Sequence, residues 1–365
     1  MEARVPPRDK QGLRTGFTTG ACAAAAAKAA TRCLVRDTVL AEIETTLPNR
    51  AKVTFPLARC ERIGARALCS IIKDAGDDPD CTHGAELVAE VELRATAGVE
   101  IRGGTGVATV TKAGLGLEVG GPAINPVPRR NITEMVSEEL ASGGAIVTIS
   151  VPDGETRALQ TTNARLGLIG GLSILGTSGI VTPYSTAAYK ASVVQAIDVA
   201  AHAGLRELVL TTGGKSEQYA MAMLPHLPQS AFIQVGDFIG VGLKACARRS
   251  IALVTIVGMI GKLSKMANGR MQTHVAGSEV DLDALADLTA ELGGDAPLVA
   301  AVRTANTARH VLELCKDAGL VGITTLICRK VVAQCARHAG GPLAVHARLV
   351  DFGGGVLGQF PEHAP

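Results

Sequence analysis

The sequence predicts two domains, an α+β domain over residues 1–157 and an α/β domain with a mainly parallel sheet over residues 158–365. A chain of 365 residues is long enough for two ordinary domains, each with its own core. Short alternating segments separated by turns fill the first part, whereas strands followed by glycines and then helices fill the second. The 42 glycines cluster at predicted strand ends, which is typical of ligand loops in α/β proteins.

The first element is an alanine-rich helix near the N-terminus. Residues 13–26 read LRTGFTTGACAAAA, a basic residue and a Thr/Gly turn that lead directly into the helix. Thr18 or Thr19 can cap this helix by accepting a hydrogen bond from a free backbone N–H. Because the glycine and alanine positions leave that end bare, its N–H groups and positive dipole could receive an anion. A helix that simply packs against a sheet explains the same pattern.

The rest of the first domain alternates strands and turns. Residues 121–130 contain too many prolines for a helix or a central strand. Asn131 or Thr133 would cap the helix that follows. The predicted elements are strands at 51–55, 65–72 and 87–93, a glycine turn entering a strand at 103–112, a helix at 131–140 and a strand at 145–151.

The loop at residues 74–84 is the best catalytic candidate in the first domain. Asp77, Asp78, Asp80 and His83 lie within seven residues, where they could hold a metal, bind a cation or move a proton. Closely spaced carboxylates raise one another's pKa, which favours an acid or a base near neutral pH. The same composition is equally typical of an Asp/Pro-rich turn between strands.

The second domain repeats a unit of strand, glycine turn and helix. This succession predicts a parallel, doubly wound, Rossmann-like sheet with its ligand edge at the glycines. The predicted strands are 166–174, 207–212, 231–235 and 251–257, with a returning strand at 343–352. The predicted long helices are 185–203, 281–292, 298–317 and 324–338.

No complete nucleotide-binding motif accompanies this sheet. G-x-G-x-x-G is absent, and Gly258, Gly261 and Lys262 miss the Walker A spacing, so both ATPase and NAD interpretations are weakened. Asp237, just past a strand, could accept hydrogen bonds from ribose hydroxyls or could equally cap a helix. A basic run that includes Lys262 and Lys265 is either a solvated helix face or a carboxylate-binding site.

Composition excludes several functional classes. A net charge of +2, only nine aromatic residues and no Trp argue against nucleic-acid binding. The nine cysteines are scattered without a zinc or redox spacing, which fits a reducing cytoplasm and small core residues. Residues 166–189 carry no charge but contain five glycines and a proline, so they do not predict a membrane span. We therefore expect a cytoplasmic protein without nucleic-acid or membrane partners.

These motifs together resemble the cobalt-precorrin-5B C(1)-methyltransferase family, CbiD, of corrin biosynthesis. The resemblance spans both halves in order, with two small departures: Phe17 stands where a Tyr is expected and Ala164 where a Pro is expected. The blocks that carry it are residues 14–27, 73–80, 82–85, 103–114, 121–130, 165–183, 236–240, 261–267, 269 and 273–274.

The resemblance implies a reaction and its participants. The methyl donor would be S-adenosyl-L-methionine, and the acceptor would be cobalt-precorrin-5B, methylated at C-1 to give cobalt-precorrin-6A in cobalamin (vitamin B12) biosynthesis. Cobalt would arrive with this polycarboxylate corrinoid, so no protein-bound metal is expected. A homo-oligomer is compatible with the resemblance. Two alternatives remain open: a nicotinamide-dependent oxidoreductase of the same pathway and a non-catalytic corrinoid-binding protein.

Three groups of site residues follow from the motifs and the resemblance. The expected catalytic residues are Asp78, Asp80 and His83. The expected donor-binding residues are Gly170, Gly171, Ser173, Gly176, Thr177, Gly213, Gly214, Asp237, Gly258 and Gly261. The expected acceptor-binding residues are Arg14, Thr18, Thr19, Gly20, Lys112, Arg129, Arg130, Lys262 and Lys265.

Overall fold

Helix α1 (Thr19–Arg36) is the central element of the N-terminal unit in a computed structural model, which describes residues 8–9, 12–274 and 279–362. Thr18 caps this helix, since its side chain accepts a hydrogen bond from the N–H of Ala21. Every alanine of the helix is buried, because a methyl side chain lets the helix approach its neighbours closely. The predictions of the helix and of a threonine cap are confirmed.

A five-stranded sheet packs against α1. Its order is β4-β5-β6-β9-β7, and all neighbouring strands are antiparallel except β7 and β9, which are parallel. Alternation of buried and exposed residues gives this sheet one face toward the helix. The strands are β4 (Arg59–Ile63), β5 (Arg66–Ile72), β6 (Glu86–Arg94), β7 (Gly98–Gly103) and β9 (Gly144–Ser150).

Three short strand pairs and two helices complete this unit. The antiparallel pairs are β2 (Glu42–Thr46) with β3 (Lys52–Pro56), β1 (Gly16–Phe17) with β11 (Ile180–Val181), and β8 (Thr109–Val110) with β10 (Leu168–Ile169). The helices are α2 (Pro126–Ser137) and α3 (Gly154–Ala158). The loop at residues 74–84 joins β5 to β6 without regular structure, as predicted.

Helix α2 begins five residues before its predicted start at residue 131. Pro126 and Pro128 lie in its first turn, where backbone N–H groups have no intrahelical acceptor, so the missing N–H of proline costs little. Asn125 is the N-cap residue, and its side chain makes no capping hydrogen bond. The predicted exclusion of a helix at residues 121–130 and the predicted caps at Asn131 and Thr133 were therefore wrong.

The N-terminal unit extends to Thr186, beyond the predicted boundary at residue 157. Pairing explains the difference, because β10 is hydrogen bonded to β8 and β11 to β1. Residues 166–174 therefore contribute only a two-residue strand to a local pair. Their predicted place as the first strand of the parallel sheet was wrong.

The second unit, Ala187–Pro365, contains the parallel sheet. Its order is β13-β12-β14-β15-β16, with the first four strands parallel and β16 antiparallel to β15. Strand β16 was not predicted, because it contains a glycine and follows three others, a composition typical of a loop. The strands are β12 (Glu207–Thr211), β13 (Phe232–Gln234), β14 (Leu253–Gly258), β15 (Ala344–Val350) and β16 (Val356–Phe360).

Eight helices surround or extend this sheet in the described residues. They are α4 (Thr186–His202), α5 (Gly214–Met223), α6 (Ile239–Arg248), α7 (Ile260–Ala267), α8 (Leu282–Glu291), α9 (Ala296–Arg303), α10 (Ala308–Asp317) and α11 (Ile323–Ala339). The single helix predicted at 298–317 is two helices, because Thr307 accepts a hydrogen bond from the N–H of His310 and starts α10 anew. Among the described helices, none has both the length and the apolar character needed to cross a bilayer.

The connections of the parallel sheet diverge between β12 and β14. From β12 the chain passes to β13 on one side, and it then returns to place β14 on the other side of β12. In open α/β sheets such a divergence leaves a crevice beyond the carboxyl ends of the two strands, where ligands bind.

The nine cysteines are all free thiols, and seven of them are buried. The prediction that most of them are small core residues is confirmed.

Candidate functional site

A cavity of about 240 Å³ lies at the N-terminal end of α1 in the first unit. Thr18 and Thr19 line it together with Asp80 of the acidic loop and Ser173. The fold therefore brings together residues predicted for acceptor binding, for catalysis and for donor binding. The cavity also contains a residue that sequence reasoning did not select, Lys73.

Lys73 is almost completely buried, with 1% of its surface exposed. Its ammonium group donates to Oδ2 of Asp80 over 2.7 Å. A lysine directly after the apolar strand β5 was the sequence signal for it, because such a residue is buried only with a partner. An ammonium group has three N–H donors, so this group can hold a further acceptor inside the cavity.

The pKa of Asp80 lies below its usual value. Burial opposes ionisation of this carboxyl, but the charge and hydrogen bond of Lys73 and the hydrogen bonds from Thr82 outweigh it. The expectation that the clustered carboxylates raise one another's pKa therefore fails at Asp80. A carboxylate with a lowered pKa is a weak base, so Asp80 fits a role in holding Lys73 better than a role in accepting a proton.

The other ionisable side chains of the loop are tied to neighbouring backbone. Nδ1 of His83 accepts a hydrogen bond from the N–H of Ala75 over 3.1 Å, which leaves the proton of a neutral ring on Nε2. Oδ1 of Asp78 accepts from the N–H of Tyr184 over 2.8 Å. The only basic nitrogen of the neutral His83 ring, Nδ1, already accepts this hydrogen bond, so Asp78 is the better-placed proton acceptor of the two.

Arg14 is held by the acidic loop. Its guanidinium group forms an ion pair with Asp74 and lies 3.8 Å from Oδ1 of Asp77. Burial works against ionisation of Asp74, but the hydrogen bond and charge of Arg14 keep the pKa of that carboxyl below its usual value. Arg14 therefore already has anionic partners, which an acceptor carboxylate would have to displace.

The start of α1 is largely satisfied by the protein itself. The N–H of Gly20 donates to the carbonyl of Leu175 over 3.0 Å, and Thr18 takes the N–H of Ala21. Thr19 uses its hydroxyl to accept from the N–H of Leu175. A Cβ at Gly20 would lie 2.6 Å from the ring of Pro128, so this glycine allows close packing of α2. The expected open anion site at the helix start is thus mostly closed.

Five of the predicted donor-binding residues lie in the first unit and not at the edge of the parallel sheet. Gly171 approaches the backbone of Gly106, where a Cβ would meet the carbonyl oxygen at 2.1 Å, and Gly176 packs on the side chain of Thr18. These glycines serve close packing. Ser173 lines the cavity, whereas Gly170 and Thr177 are exposed.

Three basic residues predicted to bind the acceptor differ in their surroundings. Lys112 donates to the carbonyl of Arg165 over 3.2 Å, and its stem packs over Gly167. Arg129 is half-buried and Arg130 exposed on α2. Neither arginine side chain has an ion pair or hydrogen bond within the part of the chain that the structure describes, so both remain available to an anion.

The crevice between β12 and β14 in the second unit collects the remaining predicted residues. Asp237 follows β13 and lies 3.0 Å from Nζ of Lys262, and its Oδ1 accepts from the hydroxyl of Thr273 over 2.9 Å. Lys262 also donates to the carbonyl of Thr212 over 2.8 Å. Asp237 does not cap α6, whose N-cap residue is Phe238 without a side-chain cap. The structure therefore removes the capping alternative for Asp237.

Electrostatics keeps Asp237 ionised. Burial opposes the charge, but the hydrogen bonds of Lys262 and Thr273 outweigh it and hold the pKa of this carboxyl below its usual value. An ionised carboxylate accepts hydrogen bonds only, as a ribose diol requires. Lys265, by contrast, is buried and donates to the carbonyl of Thr273 over 3.0 Å, so it supports the loop from inside.

The glycine turn after β12 is open. A Cβ added at Gly213 would meet nothing within 4 Å, and the same holds for Gly261 at the start of α7. Gly258 differs, since a Cβ there would lie 2.4 Å from the side chain of Leu263. Space beside Gly213 and Gly214, next to Asp237, suits a nucleoside laid along this edge of the sheet. No group of three or more His, Cys, Asp or Glu residues within the described ranges is arranged to hold a metal ion.

Comparisons with known proteins agree across both units. A family model described as CbiD matches residues 6–183, and one described as the C-terminal domain of CbiD matches residues 272–361. A relative from Leptospira borgpetersenii serovar Hardjo-bovis (strain JB197), named cobalt-precorrin-5B C(1)-methyltransferase, is 56% identical over 351 residues, 95% of each chain. A relative of the same name from Salinispora arenicola is 54% identical over 345 residues, 94% of this chain and 91% of that one.

One solved structure also matches. It is a cobalamin biosynthesis protein (cbiD) from Archaeoglobus fulgidus, with 25% sequence identity and a TM-score of 0.37 over 84% of this chain and 85% of that one.

Proposed function

Because this chain belongs to the CbiD family, we infer that it is a methyltransferase that methylates C-1 of cobalt-precorrin-5B, giving cobalt-precorrin-6A in cobalamin biosynthesis. The observation that carries this inference is 56% identity over 95% of the chain to a relative of that name. The alignment covers both units, so the inferred activity does not rest on similarity within one domain only.

We propose that S-adenosyl-L-methionine binds at the crevice between β12 and β14, on a Rossmann-like sheet edge. Gly213 and Gly214 give backbone access, and Asp237, roughly 20 residues further along the chain, offers a carboxylate to the ribose diol. The open space beside Gly213 supports this proposal. When bound, the donor would supply a methyl group on a cationic sulfur, so the chain's task is alignment more than activation.

The corrinoid acceptor is assigned, as a proposal, to the first unit. Its acetate and propionate groups need cations, and Arg129 and Arg130 are available ones. The cavity at α1, about 240 Å³, is smaller than the ~300–1,000 Å³ typical of a pocket for a whole drug-sized ligand. We therefore propose that it receives one carboxylate arm of the macrocycle, held by Lys73.

Asp78 is the proposed proton acceptor if a proton leaves the macrocycle. His83 uses its Nδ1 lone pair on Ala75, and Asp80 is held by Lys73. Asp78 receives only a backbone N–H on one oxygen among the contacts that the structure describes, which leaves it acceptor capacity toward substrate.

A single-turnover reaction tests the function. Purified protein is mixed with S-adenosyl-L-methionine and the cobalt-containing acceptor, and the product is analysed by mass spectrometry and by NMR with a labelled methyl group. We expect one added methyl at C-1 and one equivalent of S-adenosylhomocysteine. Binding of the corrinoid without turnover would identify a non-catalytic binding protein. Dependence on NADPH without methyl transfer would identify an oxidoreductase.

A further inference from the structure

Lys262 connects the carboxyl ends of three parallel strands. It lies in the first turn of α7, directly after β14, and its ammonium group donates to the carbonyl of Thr212 at the end of β12. The same group lies 3.0 Å from Asp237, which follows β13. Its charge therefore lies at the point where the strand connections diverge, and not in the first unit where the corrinoid is proposed to bind.

The ammonium group of Lys262 is fixed in place and still reachable. The carbonyl of Thr212 and the carboxylate of Asp237 define its position, and 35% of the side chain is exposed. Two contacts leave one of its three N–H donors for a ligand. Lys265, one turn further along α7, is buried and donates to Thr273, so it cannot serve the same purpose.

We propose that Lys262 binds the α-carboxylate of the donor's methionyl group while Asp237 binds the ribose diol, an assignment that rests on the donor site proposed above. The pair then recognises two parts of one ligand, the ribose of the nucleoside and its amino-acid tail. A carboxylate next to a positioned ammonium forms a charge-assisted hydrogen bond, which is stronger than a neutral one. Lys262 is thus the residue that selects an adenosyl amino acid over a nucleoside that lacks the carboxylate.

The competing explanation is that Lys262 serves only to fix Asp237. Two probes separate the two roles, because S-adenosylhomocysteine carries the carboxylate and 5′-methylthioadenosine does not, while both contain the same ribose. Their affinities for the full-length protein are measured by titration calorimetry. The ratio of the two affinities reports the contacts of the amino-acid tail, since any change at the ribose affects both probes. Loss of a cation such as Lys262 can weaken only the carboxylate part of those contacts, because the α-ammonium group of the tail is itself positive.

Four variants complete the experiment. Lys262→Met removes the charge, and we expect it to weaken S-adenosylhomocysteine about ten- to hundredfold relative to 5′-methylthioadenosine. Lys262→Arg keeps the charge and should retain most of the preference. Asp237→Asn should weaken both probes by a similar factor. Lys215→Met is the matched control, because Lys215 is an exposed lysine in the first turn of α5 at the same sheet edge.

The outcomes are distinct. An unchanged affinity ratio in Lys262→Met overturns the inference, and so does a ratio that collapses in Lys215→Met instead. In either case a loss of both affinities in Asp237→Asn still supports the proposed donor site. If Asp237→Asn changes neither affinity, the donor site itself is wrong and the assignment of Lys262 falls with it.

Discussion

At the scale of single residues, the ion pair between buried Lys73 and half-buried Asp80 dominates the candidate acceptor site. Removing one member of a buried ion pair leaves the other charge uncompensated, which costs more than the pair contributes. We expect Asp80→Asn to lower the free energy of unfolding by about 3 kcal/mol. Lys73→Met combined with Asp80→Asn should cost less than the sum of the single changes, measured by urea denaturation. Strict additivity would show that the two side chains do not interact.

The lowered pKa of Asp80 gives this contribution a pH dependence. Its stabilising effect is complete above the unfolded-state pKa of about 3.9 and is lost as the pH falls through the lower folded-state pKa. The stability gap between wild type and Asp80→Asn should therefore be constant at neutral pH and close as the pH falls below about 4. Urea denaturation at a series of pH values checks this, and a gap that widens in acid would contradict it.

Asp78 provides the catalytic prediction. Asp78→Asn keeps the oxygen that accepts from Tyr184 and removes the charge. If Asp78 takes the proton, kcat should fall roughly 10²–10⁴-fold, with donor affinity unchanged and the acid limb of the pH–rate profile lost. His83→Gln is the comparison, because His83 is expected to be structural. A loss of the acid limb in His83→Gln, with Asp78→Asn active, would reverse the assignment.

At the scale of elements, two helix glycines should respond oppositely to the same substitution. Gly20→Ala places a methyl group 2.6 Å from Pro128, so the clash should outweigh the better helix propensity and destabilise the protein. Gly261→Ala meets nothing within 4 Å and should stabilise by about 0.5–1 kcal/mol. Thermal unfolding measures both changes. Stabilisation by Gly20→Ala would show that the contact between α1 and α2 is loose.

The sequence predicted helices and strands well where the hydrophobic periodicity was strong. It predicted them poorly where the same residues are compatible with two kinds of local structure. The strands β5, β6, β9, β12 and β14 and the helices α4, α8 and α11 lie close to their predicted ranges. The prolines of α2 misled because proline breaks a helix interior but suits a first turn. Residues 166–174 misled because an apolar run with glycines fits both a central strand and a packed loop.

The candidate sites likewise contain one residue whose position the sequence predicted correctly and one that it missed. The position of Asp237 was predicted correctly, because a residue that directly follows a parallel strand lies at the carboxyl edge of the sheet. Lys73 was missed because its one sequence signal, a position directly after the apolar strand β5, does not by itself distinguish a buried lysine from an exposed one. Its role depends on the cavity and on Asp80, which only the folded chain brings together.

At the scale of the whole molecule, the small net charge of +2 implies that acceptor binding depends on local cations and not on a long-range field. Replacing Arg129 and Arg130 together by Gln should raise the KM for the acceptor and flatten its dependence on NaCl, with donor affinity unaffected. Arg303→Gln in the second unit is the control, because that arginine faces only Asp283 and Asp287 among its ion-pair partners in the described residues. An acceptor KM indifferent to salt would assign these arginines to solvated surface.

The alanines of α1 have a consequence for how this protein can vary. In an ordinary core, harm comes from trimming large side chains, which leaves holes. The alanine positions of α1 have only a methyl group to trim, so nearly every substitution there adds volume between the sheet and α2. The helix therefore acts as a spacer of fixed thickness between the sheet and α2. Because Thr18 and Thr19 at its start line the cavity, a substitution that displaces the helix would move them relative to Lys73, which directly follows β5.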